Sequence, residues 1–240
     1  MEKNLKILFM FIAVAAICCF AFDPSYSHYN QLLRSDVCAG GVAYKSMTQS
    51  KLDSAGTDFS SLSRPSFDSM RVNDRIAFLI NLYNYYTLVL IKQNYPLKTG
   101  IHDISNPWGK DIVPLFEKKV SLDNIEHDML RKDFSEPRIH FALVCASKSC
   151  SGLASTAYTG DSLDKQLTRQ AEEFLTNTFK NRVTRDTAYY SQIFQWFGKD
   201  FEKKYGSYAN YIASILGVKP RSIVRFIPYD WSLNEVGTCN

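Results

Sequence analysis

The amino-acid sequence predicts an α+β fold, a single compact domain in which a buried central helix packs on a small sheet. Helical segments outnumber candidate strands, and the two do not alternate regularly, which argues against a doubly wound sheet. No stretch has the composition of a linker between domains. The 240 residues are 45% hydrophobic and 14% aromatic, which is enough for one large core.

The strongest helical signal covers residues 71–95 and predicts the central helix. Apolar residues occupy all of its faces, as in a fully buried helix, and Pro96 forbids its continuation. Asn81 and Asn84 interrupt this apolar segment and, being three residues apart, lie on one face. A buried amide without partners costs about 1–3 kcal/mol. We therefore expect each amide to hold a neighbouring loop or to orient a catalytic group.

The remaining elements are predicted from local signals. Four helices each follow a serine that can cap the first turn, and they cover residues 122–132, 163–179, 192–204 and 208–216. Residues 138–145 are short, apolar and strongly bounded, which predicts the central strand of the sheet. Weaker strand candidates cover residues 111–120, 183–190 and 222–228. The polar segment 46–69 is predicted to be a loop with room for a short helix.

Residues 1–21 predict a signal peptide that is not part of the fold. Two lysines precede an apolar stretch, and small or apolar residues lead to Ala21, which is the order of a secretory leader. The apolar stretch is short for a spanning helix, which needs about 20 residues. We expect cleavage near Ala21, a domain over residues 22–240, and a secreted or periplasmic protein without membrane attachment. A retained anchor, or a lipid on Cys18 or Cys19, is the alternative.

The charge and the motifs of the chain argue against several classes of function. The 28 basic and 24 acidic residues give a net charge of +4 without a dense basic block, so nucleic acid is not an expected partner. The sequence has no dinucleotide-binding glycine loop, Walker loop or His-Glu-x-x-His helix. We expect no cofactor and no metal, and a peptide or small molecule as the ligand. The sequence carries no signal for an oligomeric state.

Four cysteines lie beyond the predicted leader: Cys38, Cys145, Cys150 and Cys239. Pairing of some of them is expected in an oxidising compartment, and four cysteines allow three full pairings. In one alternative Cys145 pairs with Cys150 across a short loop, and Cys38 with Cys239. In the other only Cys38 and Cys239 pair, and Cys145 stays a free thiol.

Cys145 is the candidate nucleophile, because it lies where the predicted strand becomes a loop, a common position for functional side chains. A thiol nucleophile needs a base and a group that orients the base. Residues on a regular strand alternate between its faces, which would separate His140 from Cys145. His127 is therefore preferred as the base. Glu126 or Asn81 would fill the third role.

Four motifs in order along the chain resemble the bacterial branch of the family called domain of unknown function 547. They are AFLINLYN, SLDNIEHDMLR, RIHFALVCASKSC and YDWSLN, and LDKQLTRQAEEFL and SQIFQWFGKDF are also similar. The chain has Ser151 where the family usually has proline, and Leu79 where it favours tryptophan. Neither change removes a candidate reactive group. The resemblance implies an exported member of this family and no assigned reaction.

Two functions are compatible with these observations. One is a thiol-dependent hydrolase or acyl transferase, broadly like papain or the transglutaminases in arrangement, that uses Cys145. The other is a non-catalytic, disulfide-stabilised binding or scaffold module. A zinc site is a third alternative, because His127, His140, Cys145 and Cys150 provide donors that zinc accepts, although their spacing matches no finger or helical histidine pair.

Overall fold

In the computed structural model, which describes residues 22–239, the chain folds around the 23-residue helix Val72–Asn94. Fourteen residues of this helix are buried, on all of its faces, so the predicted central helix is confirmed. The predicted signal peptide lies outside the described residues. Within 22–239, no helix is both long and apolar enough to cross a bilayer.

The helices outnumber the strands, as the sequence predicts. Within the described residues the α-helices are α1 (Ser27–Asp36), α2 (Gln49–Gly56), α3 (Arg64–Ser69), α4 (Val72–Asn94), α5 (Arg131–Asp133), α6 (Leu163–Thr176), α7 (Ile193–Phe197), α8 (Glu202–Tyr205) and α9 (Tyr208–Leu216). Turns of 3₁₀ helix cover Thr57–Phe59, Ile101–Asp103, Pro137–Phe141 and Gly198–Phe201. A π-helix covers Asn124–Leu130.

The strands form small separate sheets. They are β1 (Val37–Cys38), β2 (Gly41–Val42), β3 (Val113–Leu115), β4 (Lys118–Val120), β5 (Arg182–Val183), β6 (Thr187–Ser191) and β7 (Ile223–Ile227). β1 with β2 and β3 with β4 are antiparallel pairs. In the three-stranded sheet, β6 lies between β5, which is antiparallel to it, and β7, which is parallel with Ala188 opposite Val224. The α+β class is thereby confirmed, in a single compact domain.

The strand predicted over residues 138–145 is wrong. Pro137–Phe141 is a 3₁₀ helix, and irregular backbone continues from it to Cys145. Proline is favoured in the first turn of a helix, and the Glu136 carboxylate accepts a hydrogen bond from the Arg138 backbone N–H at its start. A short apolar run does not distinguish a buried strand from a buried helical turn, because both are apolar throughout.

Most other local predictions are confirmed, with shifted ends. α9 begins at the predicted residue, and the Ser207 hydroxyl caps it by accepting from the Asn210 backbone N–H. α6 ends at Thr176, and the Ser162 side chain makes no capping bond. The helix predicted over 192–204 is divided into α7, a 3₁₀ turn and α8. The segment predicted as loop, 46–69, holds α2 and α3, so it is more helical than its polar composition indicates.

Two hydrophobic clusters make up the core. The larger surrounds α4, and the smaller lies between α6, α9 and β6. Phe141 is fully buried in the smaller cluster, whereas Ile139 and Ala142 on either side of it belong to the larger. The segment that leads to Cys145 therefore runs along the boundary of the two clusters, which explains why it is apolar without being a strand.

The disulfide pairing decides between the two cysteine alternatives. Cys38 and Cys239 form a disulfide, as one alternative predicts, whereas Cys145 and Cys150 are free thiols. The bridge joins β1 to the carboxyl-terminal segment. The predicted Cys145–Cys150 bridge is absent from the described residues.

Candidate active site

Cys145 opens on a cavity of about 200 Å³ that both hydrophobic clusters line. Four of the five residues proposed from the sequence share this cavity: Glu126, His127, His140 and Cys145. The fifth, Asn81, lies elsewhere on α4. Its amide donates to the backbone carbonyl of Tyr158 and accepts from the N–H of the same residue, so it holds a neighbouring loop.

Asn84, one helical turn further along α4, holds the backbone that leads to the thiol. Its Nδ2 donates to the carbonyl of Ala142 at 2.9 Å, and its Oδ1 accepts from the N–H of Val144 at 2.9 Å. In a β-sheet, this carbonyl and this N–H would instead form hydrogen bonds to a neighbouring strand. Ala146, directly after the thiol, has a φ of 61°, a left-handed conformation that is unfavourable for alanine. Strain of this kind is typical of a backbone that is held in place by its surroundings.

The carboxyl-terminal segment closes the other side of the thiol. Three backbone hydrogen bonds join residues 146–149 to residues 230–234 at 2.9–3.2 Å. The Asp230 N–H also donates to the Ser149 hydroxyl at 2.8 Å. These hydrogen bonds hold the Tyr229 hydroxyl 3.4 Å from Cys145 Sγ. The site is therefore assembled from two segments far apart in the sequence.

Hydrogen bonds around Cys145 favour its thiolate. Its Sγ lies 3.2 Å from the Ser147 hydroxyl and 3.4 Å from the Tyr229 hydroxyl. The neighbouring Cys150 thiol lowers the pKa of Cys145 most, and the two hydroxyls lower it further against the opposing effect of burial. Cys150 Sγ accepts from the Cys145 backbone N–H at 3.1 Å. The pKa of Cys150 is raised well above its ordinary value by its neighbour Cys145 and by burial, so Cys150 keeps its proton. The Leu143 carbonyl, 3.5 Å away, is an alternative acceptor for that proton.

Glu126 is a buried carboxyl next to this thiolate. It lies on the π-helix, which begins after the Ser121 hydroxyl and the Asn124 side chain cap each other's backbone N–H groups. The side chain is 13% exposed, and burial, followed by the negative charge of Cys145, raises its pKa to about 7. A carboxyl with this pKa exchanges its proton near neutral pH, as a general acid or base must.

His140 lies behind Glu126 and is held by a carboxylate. Its side chain is 2% exposed, and its Nε2 lies 2.8 Å from Asp200 Oδ2. Burial lowers the pKa of His140, so the ring is neutral, and because Asp200 can only accept, the ring hydrogen is assigned to Nε2. The lone pair of Nδ1 then faces Glu126 Oε1 at 3.7 Å. Arg131 holds Asp200 from the other side with two hydrogen bonds of 2.7 and 3.0 Å.

His127 has different surroundings. Its side chain is 41% exposed at the mouth of the cavity, and its Nδ1 accepts from Arg131 Nη1 at 3.1 Å. Neither His127 nor His140 makes a hydrogen bond to Cys145 Sγ in the part of the chain that the structure describes. The preference for His127 depended on strand alternation, and no strand is present, so that argument no longer separates His140 from Cys145.

Several residues of the site were not selected from the sequence. They are Tyr83, Ser147, Asp200 and Tyr229. Asp200 and Tyr229 lie within the segments SQIFQWFGKDF and YDWSLN, where a polar group among aromatic residues was an available signal. Their contact with the centre of the chain is tertiary and has no local signature.

The zinc alternative receives no support from the geometry. Among residues 22–239, no three histidine, cysteine, aspartate or glutamate side chains are grouped closely enough to hold a metal ion. His127, His140, Cys145 and Cys150 share the cavity wall without forming such a group.

Comparison with known proteins identifies one family. A family described as "Protein of unknown function, DUF547" matches residues 67–175, a little under half of the chain. The match supports membership of that family and includes α4, Glu126, His140 and Cys145. Asp200 and Tyr229 lie beyond the matched residues. No curated protein and no solved structure matches the chain.

Proposed function

We propose that this domain, whose centre matches a family of unknown function, is a thiol-dependent hydrolase or acyl transferase with Cys145 as its nucleophile. One observation carries the proposal: a free thiol with a lowered pKa and a carboxyl with a pKa raised to about 7 face the same cavity. The shifts are opposite in sign, so near neutral pH the sulfur is able to lose its proton while the carboxyl is able to hold one. Paired shifts of this kind are typical of catalytic sites.

The first half-reaction follows from these charges. The Cys145 sulfur attacks the carbonyl carbon of a substrate, a C–S bond forms, and the π electrons move to the carbonyl oxygen. The Ser147 and Tyr229 hydroxyls, both near the sulfur, are in reach to donate to that oxygen. When the bond to the leaving group breaks, that group takes a proton from the Glu126 carboxyl.

The second half-reaction returns a proton to Glu126 and frees the thiolate. Glu126, now a carboxylate, takes a proton from water in a hydrolase, or from an amine or hydroxyl in a transferase. The resulting nucleophile attacks the thioester carbon, the C–S bond breaks, and the thiolate forms again. His140 is a positioning residue in this scheme, because its Nδ1 lone pair faces Glu126 while Asp200 fixes the ring.

The arrangement of charges favours catalysis over the scaffold alternative. A scaffold requires no half-buried carboxyl beside a half-buried thiol, and partial burial of either charge without compensation is destabilising. The Cys38–Cys239 disulfide is compatible with both functions. It also supports a location in an oxidising compartment, where such bonds persist. We therefore infer export of the protein, for which the order of residues 1–21 provides the leader.

The proposal is tested by trapping the acyl-enzyme. Purified protein is mixed with an activated nitrophenyl ester at neutral pH, and nitrophenolate release and protein mass are followed together. We expect a burst equal to the enzyme concentration and an acyl mass increase that peptide mapping assigns to Cys145. Cys145→Ala should abolish both. Nitrophenolate release that continues at the parent rate in Cys145→Ala would refute the proposal, because ester hydrolysis would then not proceed through this thiol.

A further inference from the structure

We propose that the cavity beside Cys145 selects substrates in which the reacting carbonyl lies next to one uncharged aromatic ring. This inference rests on the proposed function and names the substrate class of the same site. It is carried by the composition of the cavity wall, by its charge and by its volume.

Aromatic side chains form one continuous wall of the cavity. Trp231 is at its centre, with ring-centroid distances of 4.5 Å to Tyr229, 5.8 Å to Trp196 and 5.9 Å to Trp108. Phe197 extends the wall towards His140, on which it stacks at 4.2 Å. Flat aromatic faces of this kind pack on a ring in stacked or edge-on geometry.

Trp196 is the unusual member of this wall. It is 43% exposed, although it packs against Tyr229 at 4.9 Å and lies at the mouth of the cavity. A single exposed aromatic residue needs no explanation. This one continues a half-buried aromatic surface that ends at the nucleophile, so its exposed face is available to a bound ring.

The charge of the cavity disfavours anions. Asp123 and the Cys145 thiolate supply negative charge, the protonated Glu126 carboxyl supplies none, and none of the described residues that line the cavity is a lysine or an arginine. The nearby Arg131 lies over the Phe197 ring and is paired with Asp200, so its charge is already compensated. An acyl group with a carboxylate would meet repulsion without a compensating cation.

The volume limits the group to a single ring. Drug-sized ligands occupy pockets of roughly 300–1,000 Å³. A benzene molecule binds in an apolar cavity of about 150 Å³. The cavity of about 200 Å³ therefore accommodates one six-membered ring with its carbonyl, and a second ring would have to lie beyond the open mouth.

Alkylation of Cys145 tests this selectivity without requiring turnover. The probes are iodoacetamide, N-benzyl iodoacetamide, N-cyclohexyl iodoacetamide and iodoacetate, and each rate on Cys145 is divided by the rate of the same probe on glutathione. We expect the benzyl probe to exceed iodoacetamide by about tenfold, as burial of an apolar ring would give. The normalised rate of the cyclohexyl probe should lie between those of the benzyl probe and iodoacetamide, and iodoacetate should have the lowest normalised rate.

Matched variants test whether Trp196 causes the faster labelling of Cys145 by the benzyl probe. Trp196→Ala should remove most of the benzyl advantage, measured as the ratio of the benzyl rate to the iodoacetamide rate in the same variant. Phe179→Ala is the control, since Phe179 is 88% exposed and does not line the cavity. It should leave all four ratios unchanged.

The outcomes separate this inference from the proposed function. Fast iodoacetamide labelling with equal normalised rates for all probes would overturn the aromatic subsite and leave the nucleophile in place. Equal benzyl and cyclohexyl rates would also overturn it, because an apolar site without ring selectivity would explain them. Iodoacetamide labelling no faster than that of glutathione would contradict the activated nucleophile, whatever the ratios between probes.

Discussion

The carboxyl of Glu126 and the ring of His140 face each other, with Oε1 3.7 Å from Nδ1. Since Asp200 fixes the opposite edge of the ring and its hydrogen is on Nε2, the Nδ1 that faces this carboxyl carries no hydrogen. The neutral forms of both groups are therefore compatible, whereas an ionised Glu126 would face a lone pair. The raised pKa of Glu126 itself comes first from burial and then from the negative charge of Cys145.

The first prediction concerns stability and pH. The folded pKa of Glu126, about 7, is above its ordinary value of 4.5, so its favourable contribution is complete below pH 4.5 and is lost as the pH rises through 7. Glu126→Gln should therefore gain stability relative to the parent protein as the pH rises. The relative gain between pH 4 and pH 8 should be at most about 3 kcal/mol. Urea unfolding at both pH values measures it.

Glu136→Gln is the matched control for this prediction. Burial opposes ionisation of Glu136, but bonds from Arg138 and Lys204 prevail and lower its pKa. Its favourable contribution is present above the ordinary pKa and is lost as the pH falls, so this variant should lose stability relative to the parent as the pH rises. A difference between Glu126→Gln and the parent that does not change with pH would show that the Glu126 pKa is not raised.

A second prediction concerns the origin of the reactive thiolate. Cys150→Ala should raise the pKa of Cys145 towards its ordinary value, because it removes the side chain that lowers that pKa most. Cys150→Ser should retain much of the lowering, since a hydroxyl also donates. The ultraviolet absorbance of the thiolate, followed against pH, measures both. Equal thiolate titrations for the parent and for Cys150→Ala would show that Cys150 is not the donor.

A third prediction compares two amides on one helix. Asn81→Leu and Asn84→Leu each leave a buried carbonyl and a buried N–H without a partner, so each should lose about 1–3 kcal/mol in unfolding free energy. Only Asn84→Leu should also slow iodoacetamide labelling of Cys145, because only Asn84 holds the backbone before the thiol. Equal slowing in both variants would indicate general loosening of the fold.

A fourth prediction concerns the amino terminus. The protein isolated from its native host should lack the first residues, with a new amino terminus near Ala21, and should be found outside the cytoplasm. Intact-mass measurement of the purified protein detects this. An intact Met1 on protein from the cytoplasmic fraction would contradict both cleavage and export.

The elements predictable from the sequence are those with local causes. α4 has apolar residues on every face and a following proline, and α9 has a serine that caps its first turn, so both were predicted closely. Residues 138–145 are apolar because they separate two hydrophobic clusters, and this tertiary cause was interpreted as a strand. The contacts of the site are also tertiary, since Asp200 is 60 residues from His140 in the sequence, and no local pattern predicts that the two side chains meet.

The hydrogen bonding of residues 146–149 to the carboxyl-terminal segment has a consequence for biosynthesis. Tyr229 follows Cys145 by 84 residues, so at about 5–20 residues per second a ribosome releases it several seconds later. During that interval the growing polypeptide has its thiol and the Ser147 hydroxyl but lacks the Tyr229 hydroxyl and Trp231, one of the three tryptophans that line the cavity. A fragment cut before residue 229 should therefore have a less reactive thiol than the full chain, and full reactivity would arise only when translation has passed that residue.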